Sequence, residues 1–480
     1  MRPIRYVCLS DLHLGEEDSL LTALMPGTGQ VDPNAPSLVL TKLTECLRAV
    51  LDSTNSRPTL VLNGDGLELD LCSVETAASV FQQFLVTVLP EGGELFREVV
   101  YIPGNHDHHI WDTTRERQYL AFIERNGPSQ PIAAPWSTTK VFMDMSGRDR
   151  LSSRFLTTVA RRIPHLKAAG FEVLCGYPNF GALKGQSCAV FHHGHFAESA
   201  YRLMSILASL IFPEQPDPGD PYQLEGENSA WISFFWSLMG SAPRVGSNIE
   251  SIYEATNDPK ALEKLTDNLA ASIAARYNVP ILHTDWGEKI VLQHLFREII
   301  VKNVTQSLER QQVEEPLSDS MRQGLTWYCQ TPLHRQIELE NQQVPESMTF
   351  VFGHTHKPFE QVMPLDGYSQ PVRVLNTGGW VVDTLQQAPS LGASVVLVDE
   401  DLRAASLRIY NQGSYAVSIR EATVPGHPHS GLYADLSGLV QADREPWVGL
   451  GKLVASESTV RQRNLAQRIH ARLPSTPQKN

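Results

Sequence analysis

Ile4-Arg5-Tyr6-Val7-Cys8-Leu9-Ser10-Asp11-Leu12-His13 sets an apolar, β-favouring run directly in front of an aspartate and a histidine one residue apart. Such a run reads as a buried strand, and the two polar residues fall in the loop beyond its end. Four further segments share this design. Residues 59–63 lead into Gly64-Asp65 and residues 99–102 into Gly104-Asn105-His106-Asp107. Two later runs lead into His193-Gly194-His195 and Gly353-His354-Thr355-His356. Core packing gives no reason for five strands each to end in Asp, Asn or His. Together they supply three oxygen donors and four imidazoles, enough for two divalent ions that share one carboxylate. Hard oxygen and borderline nitrogen donors suit Mn, Fe, Zn or Co better than a soft thiolate site would. Paired ions are a standard device for in-line displacement at phosphorus, so the pattern points to hydrolysis of a phosphate ester.

In order and content the five segments resemble the calcineurin-like metallophosphoesterases, whose pattern runs DxH, GDxx(D/E), GNH(D/E), HG or HGH, and GHxH. The resemblance covers residues 4–15, 59–70, 98–109, 187–196 and 347–383 and does not reach into 197–345. It implies an α/β fold, a four-layer sandwich of two mixed β-sheets flanked by helices. It also implies that Asp11, His13 and His356 hold one ion, that Asn105, His193 and His354 hold the other, and that Asp65 bridges them. A carboxylate has two oxygens and can satisfy two cations at once, while the neutral Asn105 limits negative charge where an anionic phosphate must enter. By the same resemblance a hydroxide shared by the ions attacks phosphorus, His106 protonates the leaving oxygen and Asp107 orients His106. Glu68 and His195 are expected just outside the ions. For His195 and for Asn63, which flank ligands, direct contact with metal or substrate stays open.

An apolar fraction of 42% and a charged fraction of 19% describe an ordinary soluble globule. At 480 residues the chain is long for one domain. A net charge of −13 argues against a general nucleic-acid binder, which needs a basic face. Two dications would still dominate the field met by a phosphate substrate. The six cysteines lack CxxC spacing and read as small buried hydrophobes of a reducing compartment, so a cytoplasmic location is expected. The first strand leads straight into Asp11 and His13, so removal of a leader would destroy the site. The longest apolar stretches, 203–212 and 231–240, are too short for a bilayer span of about 20 residues.

Leu40, Leu43, Leu47 and Val50, and then Phe81, Phe84, Leu85 and Val88, recur at three- and four-residue steps and predict helices between the first strands. From 197 to 345 the character changes. Asp258 as N-cap, Pro259, and then Leu262, Leu265, Leu269 and Ile273 predict one amphipathic helix, and Val291, Leu295 and Ile299 another. We read 197–345 as an inserted helical cap, with Trp231, Phe234, Phe235 and Trp236 in its core, dividing a metallophosphoesterase core at 1–196 and 346–412. A smaller insertion is expected at about 114–180, and His108 and His109 at the rim of the site. Final strands are expected at 393–398 and 407–410, then a C-terminal extension at 413–480. Its last helix carries Arg461, Arg463, Arg468 and Arg472, expected as a solvated face over Leu465 and Ile469, with peripheral contact to an anionic membrane surface as the alternative.

Three functions compete. One is hydrolysis of a small phosphomonoester or phosphodiester such as a nucleotide. The second is pyrophosphate hydrolysis on a lipid-linked nucleotide sugar, resembling bacterial UDP-diacylglucosamine hydrolases, although those usually carry Arg where this chain has His106. The third is a non-catalytic scaffold on the same fold, which seven intact ligand positions argue against.

Overall fold

The computed structural model describes residues 2–129, 138–238 and 314–472, apart from positions 145, 146, 148, 149, 213, 215, 383, 425 and 427. The helices expected around 258–273 and 291–299 lie outside these residues, as do the side chains of Phe235 and Ile469.

Strands in chain order are β1 (Ile4–Leu9), β2 (Thr22–Leu24), β3 (Val31–Pro36), β4 (Thr59–Asn63), β5 (Glu98–Ile102), β6 (Val173–Cys175) and β7 (Asn179–Lys184). They continue as β8 (Ser187–His192), β9 (Ser347–Phe352), β10 (Phe359–Met363), β11 (Val372–Asn376), β12 (Gly392–Asp399), β13 (Ala404–Asn411) and β14 (Ser418–Arg420). Two mixed sheets result, β14-β13-β12-β1-β4-β5-β6 and β10-β11-β9-β8-β7, with β2 and β3 forming a separate ribbon. Strands β1, β4, β5 and β6 run parallel in the first sheet, and β8, β9 and β11 in the second. The register pairs Leu9 with Leu62 and Asn63 with Ile102, so the ends of β1, β4 and β5 lie level. Phe191 pairs with Val351, levelling the ends of β8 and β9. Every candidate ligand therefore leaves the carboxyl end of a parallel strand, where open α/β sheets form their crevices.

Alternation along each strand sorts the side chains into layers. Tyr6, Cys8, Val61, Val100 and Ile102 pack against Phe180, Phe191, Val351 and Leu375 of the other sheet. The Tyr6 ring lies 5.9 Å from that of Phe180 and 5.6 Å from that of Phe191. On the outer face of the first sheet Val7, Leu9, Leu60 and Leu62 meet the apolar stripes of helices Leu38–Ser53 and Val74–Val88, in which all eight expected residues are buried. Both helices start on a serine whose hydroxyl accepts first-turn amides: Ser37 from Val39 and Leu40, Ser73 from Thr76. On the far face of the second sheet Val190, Phe350 and Phe352 pack under Phe196, Tyr201, Leu325 and Tyr328. Helices Leu203–Ile211 and Pro221–Ser233 of the inserted segment lie on that side. The molecule is thus a four-layer sandwich of two mixed sheets with an inserted helical segment. Of the expected cap core, Trp236 is buried, Trp231 half-buried and Phe234 exposed.

Two regions differ from expectation. The stretch 114–180 contains β6, an edge strand of the first sheet, so part of it belongs to the sandwich. After 412, β14 adds the opposite edge strand. Helix Trp447–Arg472 packs on helix Leu38–Ser53, and Arg461 is no solvated side chain. It is 1% exposed and donates to the carbonyls of Ser19 (2.8 Å) and Thr22 (2.7 Å) and to Glu457 (2.6 Å). Arg468 pairs with Asp18, and with Glu17 at 3.1 Å. Two of the four arginines therefore serve internal contacts, leaving only a reduced basic face for a membrane. Arg461→Ala would strand two carbonyls and a carboxylate. A loss of about 3 kcal/mol in a urea unfolding titration is expected; a loss under about 1 kcal/mol would show that water replaces the guanidinium.

Candidate metal centre

The loops after the five strands are held in unusual backbone conformations. Asp11 (φ 51°), His13 (44°), Asp65 (48°), His354 (71°) and His356 (56°) all adopt the left-handed region. They are five of the eight non-glycine residues that do so among the described residues. Each such residue costs of order 1–3 kcal/mol unless its surroundings impose it, and strain of this kind concentrates at functional sites. Cross-loop bonds impose it here. Asp11 N–H donates to Gly64 O (2.9 Å), His13 N–H to Asp65 O (2.9 Å) and Gly353 N–H to His193 O (2.8 Å). Asp65 Oδ1 accepts from His106 N–H at 2.8 Å, and the Asp11 carboxylate from His354 N–H at 2.9 Å. Two glycines of the motifs are required by close approach: a Cβ on Gly64 would strike the His193 ring, and one on Gly104 the Asp65 carboxylate.

Two clusters of potential ligands result, Asp11/His13/His356 and Asp65/His193/His354, each with three donor atoms within 4.8 Å of one another. All six residues are buried. His13 Nδ1 lies 2.8 Å from Glu68 Oε2, which fixes the proton there and leaves Nε2 with a lone pair and no hydrogen-bond partner. His193 Nδ1 lies 3.1 Å from Asn63 O, a pure acceptor, so it must carry the proton. Its Nε2 then faces Asp65 Oδ2 and Asn105 Oδ1, both at 3.1 Å. A lone pair aimed at two oxygens is repulsive unless a proton or a cation lies between them. Either satisfies His193, and with three donor atoms within 4.8 Å of one another each cluster could hold a divalent ion. Asp65 Oδ2 is also 4.0 Å from His13 Nε2, which places this one oxygen between the clusters.

Charge follows the same geometry. Burial opposes ionisation of Asp65, but His193 and His106 outweigh it and hold the carboxyl well below its usual range. Burial likewise disfavours a charged His106, yet Glu68 and Asp65 raise it to about 10. His193 rises to about 9 because Asp65 and Asp11 overcome its burial.

Glu68 also belongs to a third cluster, with His13 and His106. Its Oε1 accepts the amides of Asp70 and Leu71, both at 2.8 Å, while Oε2 serves His13. With its lone pairs engaged it holds imidazoles in place, the arrangement expected of a carboxylate behind a ligating histidine. Glu68→Ala is expected to weaken metal affinity by about 10–100-fold, read by competition with a chromophoric chelator; unchanged affinity would mean that His13 is positioned by its backbone alone.

Several expectations need correction. Asp107 does not orient His106. Its carboxylate accepts from the amides of Gly66 (2.8 Å), Leu67 (3.2 Å) and Gly104 (2.6 Å) and from the Tyr101 hydroxyl, tying two ligand loops together. Burial and the charge of Asp65 push it up to about 6. His106 instead lies 3.0 Å from Glu68 Oε2. The His195 ring stands beside that of His193, 5.5 Å centre to centre, with Nε2 3.0 Å from the Tyr177 hydroxyl, among Phe196 and Tyr201. The Asn63 side chain donates to the carbonyls of His192 and Val351 and so ties β4 to the second sheet. His108 is not at the rim: it is buried, with Nδ1 2.6 Å from Ser233 Oγ and Nε2 3.3 Å from Glu225 Oε1. His108, Asp112 and Glu225 form a fourth cluster, and Arg115 joins it, donating to Asp112 (2.8 Å) and Glu225 (3.3 Å), so its two carboxylates already face a cation.

One buried acid escaped sequence reading. Glu198 Oε1 lies 3.4 Å from His354 Nε2, and the residue is 4% exposed. The available signal was a lone carboxylate inside the apolar stretch 196–201.

No protein-family model matches the chain, and no curated protein matches it. Fold and donors define the class by themselves: a four-layer α/β sandwich with adjoining clusters able to chelate two metal ions, the equipment of a metal-dependent hydrolase. The architecture is consistent with the calcineurin-like metallophosphoesterase fold. Among the described residues no helix is long and apolar enough to cross a membrane.

Proposed function

We propose that the chain is a calcineurin-like phosphoesterase with a dinuclear centre. The observation that carries this reading is the position of Asp65 Oδ2 between His13 Nε2 and His193 Nε2. Asp11, His13 and His356 take one ion, Asn105, His193 and His354 the other, and Asp65 both. When bound, the ions lower the pKa of water and neutralise charge on the phosphoryl oxygens. The residues of the chain do the rest. Asn105 offers a neutral oxygen, so the pocket keeps room for an anion. His106, held by Glu68, delivers a proton to the leaving oxygen. The core is 1–196 and 346–412 joined by the edge strand β14, and the inserted segment, of which 197–238 and 314–345 are described, selects a small phosphorylated substrate. A second reading, cleavage of a lipid-linked nucleotide sugar, draws support from Phe212 and Phe234, 55% and 62% exposed on the inserted segment.

The test is hydrolysis of p-nitrophenyl phosphate and bis-p-nitrophenyl phosphate by chelated protein after addition of Mn²⁺, Zn²⁺ or Mg²⁺. Metal-dependent turnover of one ester is expected. Absence of turnover with both ions bound would leave a scaffold, and stimulation of turnover by detergent micelles would favour the lipid-linked substrate.

A further inference from the structure

A cavity of about 570 Å³ lies along the second half of helix His109–Arg125, against residues 138–143 and 150–152. At 1.5 Å rise per residue, Arg117 and Arg125 stand about 12 and 24 Å along the helix from His109, and no residue of the metal centre lines the cavity. Its volume falls in the range of small-molecule sites, roughly 300–1,000 Å³.

Among the described residues the lining contains Arg117, Arg125, Lys140 and Arg150 and no acidic residue, in a chain of net charge −13. Arg150 is already engaged, 3.2 Å from Glu172 and 3.6 Å from Glu98. Arg117 and Arg125 have no carboxylate within 4 Å among the described residues. A cation in the last turn of a helix is favoured by the macrodipole, which accounts for Arg125. Arg117 lies two turns back, exposed beside the same cavity. Between the two arginines the same helix face presents Ala121 and Phe122, and Met143 and Leu151 complete an apolar wall.

We propose that this cavity is a second binding site, independent of the metal centre, for an organic anion that combines a phosphate, sulfate or carboxylate with an aromatic or acyl portion. The guanidinium groups take the anionic end in the forked geometry they offer to oxyanions. Phe122, Met143 and Leu151 cover the apolar part.

The test is isothermal titration of the full-length protein with 2-naphthalenesulfonate at low salt, beside the Arg117→Gln/Arg125→Gln double variant and beside sodium sulfate. The wild type should bind the naphthalenesulfonate, the double variant at least tenfold more weakly, and sulfate at least tenfold more weakly than the aryl sulfonate. Both arginines are exposed and have no ion-pair partner among the described residues, so the variant should keep the urea midpoint and the p-nitrophenyl phosphatase rate of the wild type. Equal affinity in the double variant would overturn the site. So would no binding by the wild type, and sulfate binding as tightly as the aryl sulfonate would overturn its amphipathic class.

Discussion

Asp65→Asn should empty both metal positions, whereas His13→Ala should chiefly empty one. The substitution is close to isosteric, and an amide oxygen at Oδ1 can still accept the His106 N–H that Asp65 holds at 2.8 Å. The fold around the loop therefore survives. At the other terminus the change is severe. Oδ2 becomes an NH₂ group 3.1 Å from His193 Nε2, where it donates into the lone pair that the ion needs. The shared negative charge disappears as well. Affinity at both positions should fall beyond the roughly 10–100-fold cost of losing an outer partner. Activity should fall by at least about a thousandfold, equivalent to about 4 kcal/mol of barrier. In His13→Ala, by contrast, Asp65, His193 and His354 keep their geometry and should retain an ion. Metal analysis of the two purified variants decides the point, because two equivalents of ion in Asp65→Asn would end the bridging assignment.

The positions of the candidate ligands were legible because a local rule was broken five times. Strands β1, β4, β5, β8 and β9 each end in residues that core packing does not select, and departures of that kind mark functional sites. The strained φ values at Asp11, His13, Asp65, His354 and His356 are the structural form of the same signal. What the motif could not reveal is which carboxylate serves which imidazole. Asp107 stands next to His106 in sequence, but three backbone amides and the Tyr101 hydroxyl turn its side chain the other way. Glu68, 38 residues upstream, takes the imidazole instead. Burial of His108 was equally invisible, since Ser233 and Glu225 lie 125 and 117 residues further on. Helix periodicity placed Arg461 on a solvated face because its acceptor, the Ser19 carbonyl, is 442 residues away. Each miss concerns a polar group satisfied across the fold. Apolar runs and three- and four-residue periodicity, which local sequence does encode, located β1, β4 and the helices Leu38–Ser53 and Val74–Val88.

His106→Ala should leave both ions bound and still slow turnover, by an amount set by the leaving group. The imidazole sits 4.8 Å from the His13 ring, centre to centre, with Glu68 behind it. It is therefore beside the ligands without being needed in either cluster of three that fits an ion. A general acid typically contributes about 10²–10⁴-fold, but only where the departing oxygen is basic enough to need a proton. An alkyl phosphate should suffer the full loss. p-Nitrophenyl phosphate, whose leaving oxygen is stable as an anion, should lose about tenfold or less. The comparison separates acid catalysis from metal loss, since an emptied ion position would slow both substrates alike. It also separates His106 from Glu68, because Glu68→Ala disturbs His13 too and should lower metal affinity, which His106→Ala should not. Equal losses on the two esters with both ions in place would assign His106 to holding the phosphoryl group instead of protonating the leaving oxygen.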